Sequence, residues 1–435
     1  MLLIAAPGQG AQAPGFLREW LELPHFAERL GLWSELAGCD LIRYGTTADA
    51  DEIRDTAIAQ PLLVAAAIAT AAELAGGSGR SPRLADAADA AGVGAAAGHS
   101  VGELAAGAIA GALAPDDAIR LVRVRGQAMA RAAAAEATGM TAVLGGEEPE
   151  VLAAIEASGL TPANVNGAGQ IVAAGTVERL AAFAADPPPR ARLRPLSVAG
   201  AFHTRHMRPA VDALRDAAAT VAVHSPALVL LSNRDGSVVH SGPDWLERIV
   251  TQVSTPVRWD LCMRTMTGLG VTALIELPPA GTLTGLARRA LPGVQTLALK
   301  SPGDLDAARE LLTAHSTATT DGGAAAAGDG AAARQAAAAR ADARQDTHPD
   351  SHAPDWRLLV APLAGTFRAG PGSGRAAEPG AEVSTGAELG HVEMRGGSQP
   401  VSSAFPATII EWLVEDGDPV TVGQPLVRLQ PNGTE

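Results

Sequence analysis

Residues Gly98-His99-Ser100-Val101-Gly102 set a serine between two glycines, inside an alanine-rich run otherwise friendly to a helix. Gly-x-Ser-x-Gly fits a sharp strand-to-helix turn, where glycines relieve backbone crowding and the serine hydroxyl is pushed into the open. The competing reading is an N-cap serine at an ordinary helix start, with Glu103 three residues on completing a capping box. A serine nucleophile needs a base to take its proton and donors to hold the oxyanion formed on attack at a carbonyl. His203 in "VAGAFHTRHM" follows a loop-like segment and is the candidate base. His25, His99 and His206 compete, since a lone histidine is commonly solvated or part of a core. His99 is a poor base, because on a sharp turn the serine's neighbour points elsewhere.

Composition narrows the class. A chain of 435 residues is long enough for two or three domains, each with its own core. The net charge is −14, and Lys300 is the single lysine among 33 basic residues. That balance argues against nucleic acid as a partner, which would call for a basic face. Cys39 and Cys262 are too few and too far apart for a disulfide framework or a zinc site, so a reducing, cytoplasmic setting is expected. "MLLIAAPGQG" is too short for a secretory signal, and no apolar run reaches the roughly 20 residues that span a bilayer. No membrane and no metal are therefore expected.

Residues 1–315 alternate short apolar runs with longer helical patterns, the mark of α/β layering. "LLIAAPGQGAQ" reads as a strand entering a Gly-rich loop, and 58–75 as a long apolar helix with Pro61 in its first turn. "AAAGHS" reads as a short buried strand and 100–113 as the helix after it. Between about 133 and 197, "TAVLGG", "QIVAAG" and "RARLRPLSV" read as strands around helices 148–158 and 176–186. That texture predicts a small inserted α+β lobe. A helix at 303–314 closes the domain. Residues 316–355 are Ala/Gly-rich, hold no aromatic residue and read as a flexible linker. In the last 80 residues, 378–393 aligns with 415–430 at a constant offset of 37. Glu378, Gly380, Val383, Gly386 and Leu389 recur as Glu415, Gly417, Val420, Gly423 and Leu426. Two copies of a strand–turn–strand unit predict a small β-sandwich with pseudo-two-fold symmetry.

Over about residues 1–315 the chain resembles the malonyl-CoA:acyl-carrier-protein transacylases. The blocks that carry the resemblance run in family order. They are "PGQGAQ" at 7–12, "AQPLL" at 59–63, "GHSVGE" at 98–103, "RGQAM" at 125–129, "NVNGAGQIVAAG" at 164–175 and "GAFHTRHM" at 200–207. "SNRDG" at 232–236, "TQVSTPVRW" at 251–259 and "TLTGLARRAL" at 282–291 complete the set. The resemblance implies an α/β fold, a hydrolase-like parallel-sheet core with a ferredoxin-like inserted lobe. It implies Ser100 as nucleophile and His203 as base, with no triad aspartate and a main-chain carbonyl at Gln252 orienting the imidazole. Gln9 and the backbone N–H of Val101 would form the oxyanion hole. Arg125 would grip the free carboxylate of malonyl bidentately, which a lysine could not do with the same fit. Phe202 would exclude an α-methyl, and Asn166 would line the site. The transfer would be ping-pong, from malonyl-CoA to the thiol of an acyl carrier protein docked on Arg205, Arg208, Arg288 and Arg289. One departure is Pro279, where the family carries glycine.

Residues 356–431 resemble the biotinyl and lipoyl carrier domains, closest to the biotin carboxyl carrier protein of acetyl-CoA carboxylase. "APLAGTFRAGP" and "TIIEWLVEDGDPVTVGQPLVRL" carry that resemblance. The family presents a lysine for biotin at the hairpin between the halves. Here Gly397 aligns with it directly, or Arg395 after one deletion, and neither can form the amide link. The domain at 356–435 is therefore expected to hold no biotin or lipoate. It would serve as a docking or tethering module toward an acyl-CoA carboxylase or a synthase component; a functionless remnant is the alternative. Three rival readings of the first domain remain at this stage. They are a plain serine hydrolase, a malonyl transferase loading the carrier of malonate decarboxylase, and a non-catalytic scaffold. A hydrolase would require a triad carboxylate such as Asp186, which nothing marks.

Overall fold

The computed structural model describes residues 1–76, 93–198, 200–317 and 357–432, apart from 364, 371–379, 395–396, 404, 415 and 421–423. The chain divides into two units, Met1–Arg344 and Gln345–Glu435. The expected linker lies outside the described residues from 318 onward. Residues 316 and 317 still belong to the last helix of the first unit.

Strand β1 (Leu2–Ala6) turns Leu2, Ile4 and Ala6 to one apolar core and Leu3 and Ala5 to another, as the two-residue period of a strand buried on both faces requires. It lies in a six-stranded sheet with β2 (Val93–Gly98), β7 (Val229–Leu231), β8 (Val238–Val239), β10 (Ala273–Glu276) and β11 (Gln295–Ala298). The order is β11-β10-β1-β2-β7-β8, parallel except for the β7–β8 pair. Ala6 pairs with Gly98, so the loops leaving β1 and β2 emerge side by side at the carboxyl edge of the sheet.

One face is covered by α1 (Pro24–Ala37), α2 (Leu41–Thr46), α3 (Thr56–Leu74), α4 (Gly102–Ile109) and α5 (Pro115–Ala134). Asp55 caps α3 by accepting the Ala57 N–H at 2.9 Å, so the helix starts at Thr56 and Pro61 sits inside it rather than in its first turn. α3 is long and apolar enough to cross a bilayer, contrary to the reading from sequence, yet 83% of its apolar window is buried inside the fold. α4 is shorter than the expected 100–113, because residues 99–101 are taken up by the turn. α8 (Arg208–Ala218) and α9 (Gly242–Gln252) join this layer, while α10 (Trp259–Gly268) and α11 (Thr282–Ala290) cover the opposite face. Glu276, fully buried, accepts the Gly281, Leu283 and Thr284 N–H groups at 2.8–2.9 Å and so anchors the Pro278–Pro279 loop at the start of α11. α12 (Leu305–Thr317) ends three residues later than the expected 314.

The inserted lobe runs β3 (Thr138–Gly145), α6 (Glu148–Ala157), β4 (Thr161–Gly167), β5 (Gln170–Thr176), α7 (Val177–Ala185) and β6 (Ala191–Pro195). Its sheet has the order β6-β3-β5-β4-β9, where β9 (Val257–Arg258) is lent by the main domain and pairs parallel with β4. α5 reaches Ala134, so the lobe proper begins at Thr138 rather than 133.

The second unit holds β12 (Arg357–Val360), β13 (Gly365–Ala369), β14 (Glu382–Val383), β15 (Glu388–Met394), β16 (Gly397–Ser402), β17 (Ala407–Trp412), β18 (Pro419–Val420) and β19 (Pro425–Pro431). They form two antiparallel sheets, β12-β19-β17-β14 and β16-β15-β13-β18. Shifting each strand by four places converts one order into the other, and the bounds of β14 and β15 recur 37 residues on as β18 and β19. Gly380 and Gly417 adopt matching φ of 91° and 95°, and their N–H groups donate to Ile409 O and Phe367 O. The sequence repeat is thus a structural one.

Candidate active site

The β2–α4 turn explains both glycines. A Cβ on Gly98 would lie 2.0 Å from the Gly102 carbonyl carbon, and one on Gly102 would lie 2.2 Å from Ala6 O. Ser100 itself holds φ at 53°, a left-handed conformation uncommon for a side-chain-bearing residue. Asn233, fully buried between β7 and β8, fixes this turn: the Ser100 N–H donates to its Oδ1 at 2.7 Å, and its Nδ2 donates to Gly98 O at 2.8 Å. The capping box does not form. Glu103 turns inward instead, where its carboxylate accepts the Asn233 N–H at 3.0 Å and the Gln252 side-chain amide.

Ser100 Oγ lies 2.7 Å from His203 Nε2. His203 Nδ1 lies 2.8 Å from the Gln252 main-chain oxygen, a group that can only accept. Nδ1 therefore carries the ring proton and Nε2 is free to take one from the serine. Burial first, and the Arg125 charge second, push the imidazole down to about 3, so the ring is neutral at ordinary pH. His99 is held away from this chemistry, with Nε2 2.8 Å from Asn166 Oδ1 on β4. His206 lies 2.7 Å from Glu136, and His25 is exposed.

Arg125, on α5, is 1% exposed. Nη1 donates to Gln60 Oε1 at 2.7 Å, and Nη2 donates to Gln252 Oε1 at 2.8 Å and reaches Ser100 Oγ at 3.4 Å. Every one of these acceptors is neutral, and Nε has no hydrogen-bond partner among the described residues. Among the described residues no carboxylate lies within ion-pair distance of it. Burial lowers the guanidinium to about 10, which leaves it charged at neutral pH. Glu103 is the nearby carboxylate that favours the charged form, yet it makes no direct ion pair, and a buried cation without one is unfavourable on its own. The arrangement leaves a guanidinium beside the serine that an anion could neutralise.

Phe202, 5% exposed, precedes the base, and Asn166 lies at the lobe boundary beside His99. Gln9 donates its side-chain amide to Arg54 O at 3.3 Å and Thr56 Oγ1 at 3.2 Å, so those donors are engaged away from Ser100. Neither the Gln9 nor the Val101 N–H donates to a protein acceptor among the described residues. Arg205, Arg208, Arg288 and Arg289 are all exposed; Arg205 follows His203 by two residues, and Arg288 donates to Thr296 Oγ1 at 2.9 Å. Gln60, Glu103 and Asn233 are members of the site to which the sequence reading gave no role there.

Residues 6–321 match the acyl transferase domain family. Over 309 residues the chain is 52% identical to the malonyl CoA-acyl carrier protein transacylase of Mycobacterium tuberculosis, covering 70% of this chain and 98% of that one. The chain belongs to the malonyl CoA-acyl carrier protein transacylases. The crystal structure of MCAT from Mycobacterium tuberculosis agrees with a TM-score of 0.67 at 51% identity, covering 71% of this chain and 99% of that one. A complex of a holo type II polyketide acyl-carrier protein with its malonyl-transacylase matches at 28% identity and a TM-score of 0.63, covering 71% of this chain and 99% of that one. As a member of the transacylase family the chain is an acyltransferase, moving malonyl from malonyl-CoA to acyl carrier protein for fatty acid synthesis.

Proposed function

We infer that the transfer runs through a malonyl ester on Ser100, with Arg125 holding the free malonyl carboxylate. The buried, unpaired guanidinium beside the serine carries this reading: acetyl offers no charge for it, whereas malonyl does. His203 Nε2 takes the Ser100 proton as Oγ attacks the thioester carbonyl. The Gln9 and Val101 main-chain N–H groups hold the resulting oxyanion. The C–S bond breaks, CoA leaves as a thiol with the proton returned by His203, and the malonyl ester remains. The carrier's phosphopantetheine thiol then gives its proton to His203 and attacks the ester, and Ser100 recovers a proton as the malonyl thioester departs. Phe202 excludes an α-methyl, a discrimination of about 1–3 kcal/mol, and Asn166 lines the site. The carrier docks on Arg205 and Arg208 with Arg288 and Arg289. Double-reciprocal plots for malonyl-CoA at several carrier concentrations test the order of steps: parallel lines support a two-stage transfer, and intersecting lines contradict it.

The fold reads as a hydrolase-like core, a ferredoxin-like lobe and a biotinyl/lipoyl-like sandwich at 356–435. The eight-strand order and the 37-residue symmetry support the last assignment. Gly397 opens β16 opposite Met394, Arg395 lies outside the described residues, and Lys300 belongs to the first unit. The second unit therefore carries no biotin or lipoate and serves as a docking module toward an acyl-CoA carboxylase or a synthase component. Free Cys39 and Cys262 fit a cytoplasmic setting. Intact mass of the purified chain tests the first point, since one biotin would add its full amide-linked mass.

A further inference from the structure

Glu103 takes no part in the transfer chemistry above, yet it sits 2% exposed at the centre of the groups that do. One oxygen accepts the Asn233 N–H at 3.0 Å and the other accepts the Gln252 side-chain Nε2. In its ionised form the carboxylate only accepts hydrogen bonds, and in that form it admits one orientation of the Gln252 amide. The NH2 must face Glu103, which leaves Oε1 on the opposite side. That oxygen is the one to which Arg125 Nη2 donates at 2.8 Å. With the amide reversed, two N–H donors would confront the guanidinium across the same gap. Gln252 Nε2 also donates to Ser100 O at 3.1 Å, so the orientation that serves Arg125 braces the nucleophile turn as well.

We propose that Glu103 is a positioning residue for substrate selection, its carboxylate setting the Gln252 amide so that Arg125 is aimed at the acyl carboxylate beside Ser100. The proposal rests on the reading of Arg125 as the carboxylate site. Glu103 acts through Gln252 and touches no reacting atom. Its removal weakens the preference for a carboxylate-bearing acyl group, while the histidine keeps its orientation, because the His203 contact uses the Gln252 main-chain oxygen.

The test is the ratio of enzyme acylation rates with malonyl-CoA and acetyl-CoA above about pH 8, where the Glu103 carboxyl is ionised. In Glu103→Gln the new amide can donate to Gln252 and let it turn over. The ratio then falls about tenfold or more, through KM for malonyl-CoA, the malonyl rate falling further than the acetyl rate. Gln252→Met keeps the main-chain oxygen, deletes the amide and lowers the ratio equally; the double variant lowers it no further. A ratio unchanged in Gln252→Met overturns the proposal even if Glu103→Gln does not fold. Equal slowing of both substrates in Glu103→Gln overturns it too, since that marks a structural role only. Arg125→Ala separates the two readings. If it keeps the preference, Arg125 is not the carboxylate site. If it loses the preference while Glu103→Gln keeps it, only the present proposal fails.

Discussion

Arg125 Nη2 comes within 3.4 Å of the Ser100 hydroxyl oxygen. In a malonyl thioester one methylene separates the carboxylate from the carbonyl that is attacked. On the proposed reading, a carboxylate seated on the guanidinium would bring that carbonyl to Oγ without any longer reach. One contact would then supply both binding and orientation, the form of proximity that lowers a barrier.

Arg125→Lys tests the fork. Lysine keeps the charge, but its compact ammonium lacks the planar fork by which two separate nitrogens reach Gln60 and Gln252 and a carboxylate can be gripped bidentately. The loss in kcat/KM for malonyl-CoA is expected at about 2–5 kcal/mol, measured by steady-state kinetics against a fixed carrier concentration. A loss below a few-fold would show that charge alone suffices.

The turn glycines make a second prediction. Gly98→Ala drives a Cβ to 2.0 Å from backbone that cannot move aside. It should lower stability by about 3 kcal/mol or more, read as an earlier urea midpoint with loss of acylation. Gly31 in α1 is the contrast: nothing lies within 4 Å of its Cβ position. Gly31→Ala should stabilise by about 0.5–1 kcal/mol and leave turnover intact.

The pH dependence follows from His203. Its folded value of about 3 lies below the ordinary 6.5, so between these limits the unfolded chain binds more protons than the folded one. Stability contributed by the neutral ring is full above 6.5 and is lost as pH falls toward 3. The ring stays mostly in its proton-accepting, neutral form until the pH approaches 3. Acylation should show no break near 6.5, and the His203 ring signals should not titrate between pH 5 and 8 by NMR. An inflection at 6.5 that vanishes in His203→Gln would contradict this.

Glu103 adds an inflection of its own. Burial pushes its carboxyl up to about 8, against the Asn233 N–H, the Gln252 amide and the charges of Arg125 on α5 and Arg248 on α9. Cys262 on α10 also faces it, as a neutral thiol held well above its ordinary value. The acceptor-only form that sets Gln252 predominates above that pH. The preference for malonyl-CoA over acetyl-CoA should therefore strengthen as pH rises through about 8, and become flat in Glu103→Gln. A preference independent of pH in both proteins would contradict it.

Ser100 stood out because the glycines flanking it mark a sharp turn locally, whereas His203 has no such flank and was singled out by the block "GAFHTRHM" of the family resemblance. Glu103 was not legible, because its three-residue spacing from Ser100 satisfies a capping box equally well. Only the φ of 53° at Ser100, which denies it the N-cap conformation, decides between them. Gln60 and Asn233 act across 65 and 133 residues of chain, a separation that no local pattern reports. The lobe's strands could be read from alternation, but the two residues of β9 that complete its sheet are too few to carry a period. In the second unit the offset of 37 was visible because turn glycines and core valines repeat together, and the strands keep the same offset.

The most direct measurement is the intact mass of the chain after brief exposure to malonyl-CoA alone, with Ser100→Ala and Arg125→Ala beside it. The account predicts one malonyl adduct on the native chain, none on Ser100→Ala, and acetyl acceptance from acetyl-CoA by Arg125→Ala in place of malonyl. A malonyl adduct that survives in Ser100→Ala would contradict it.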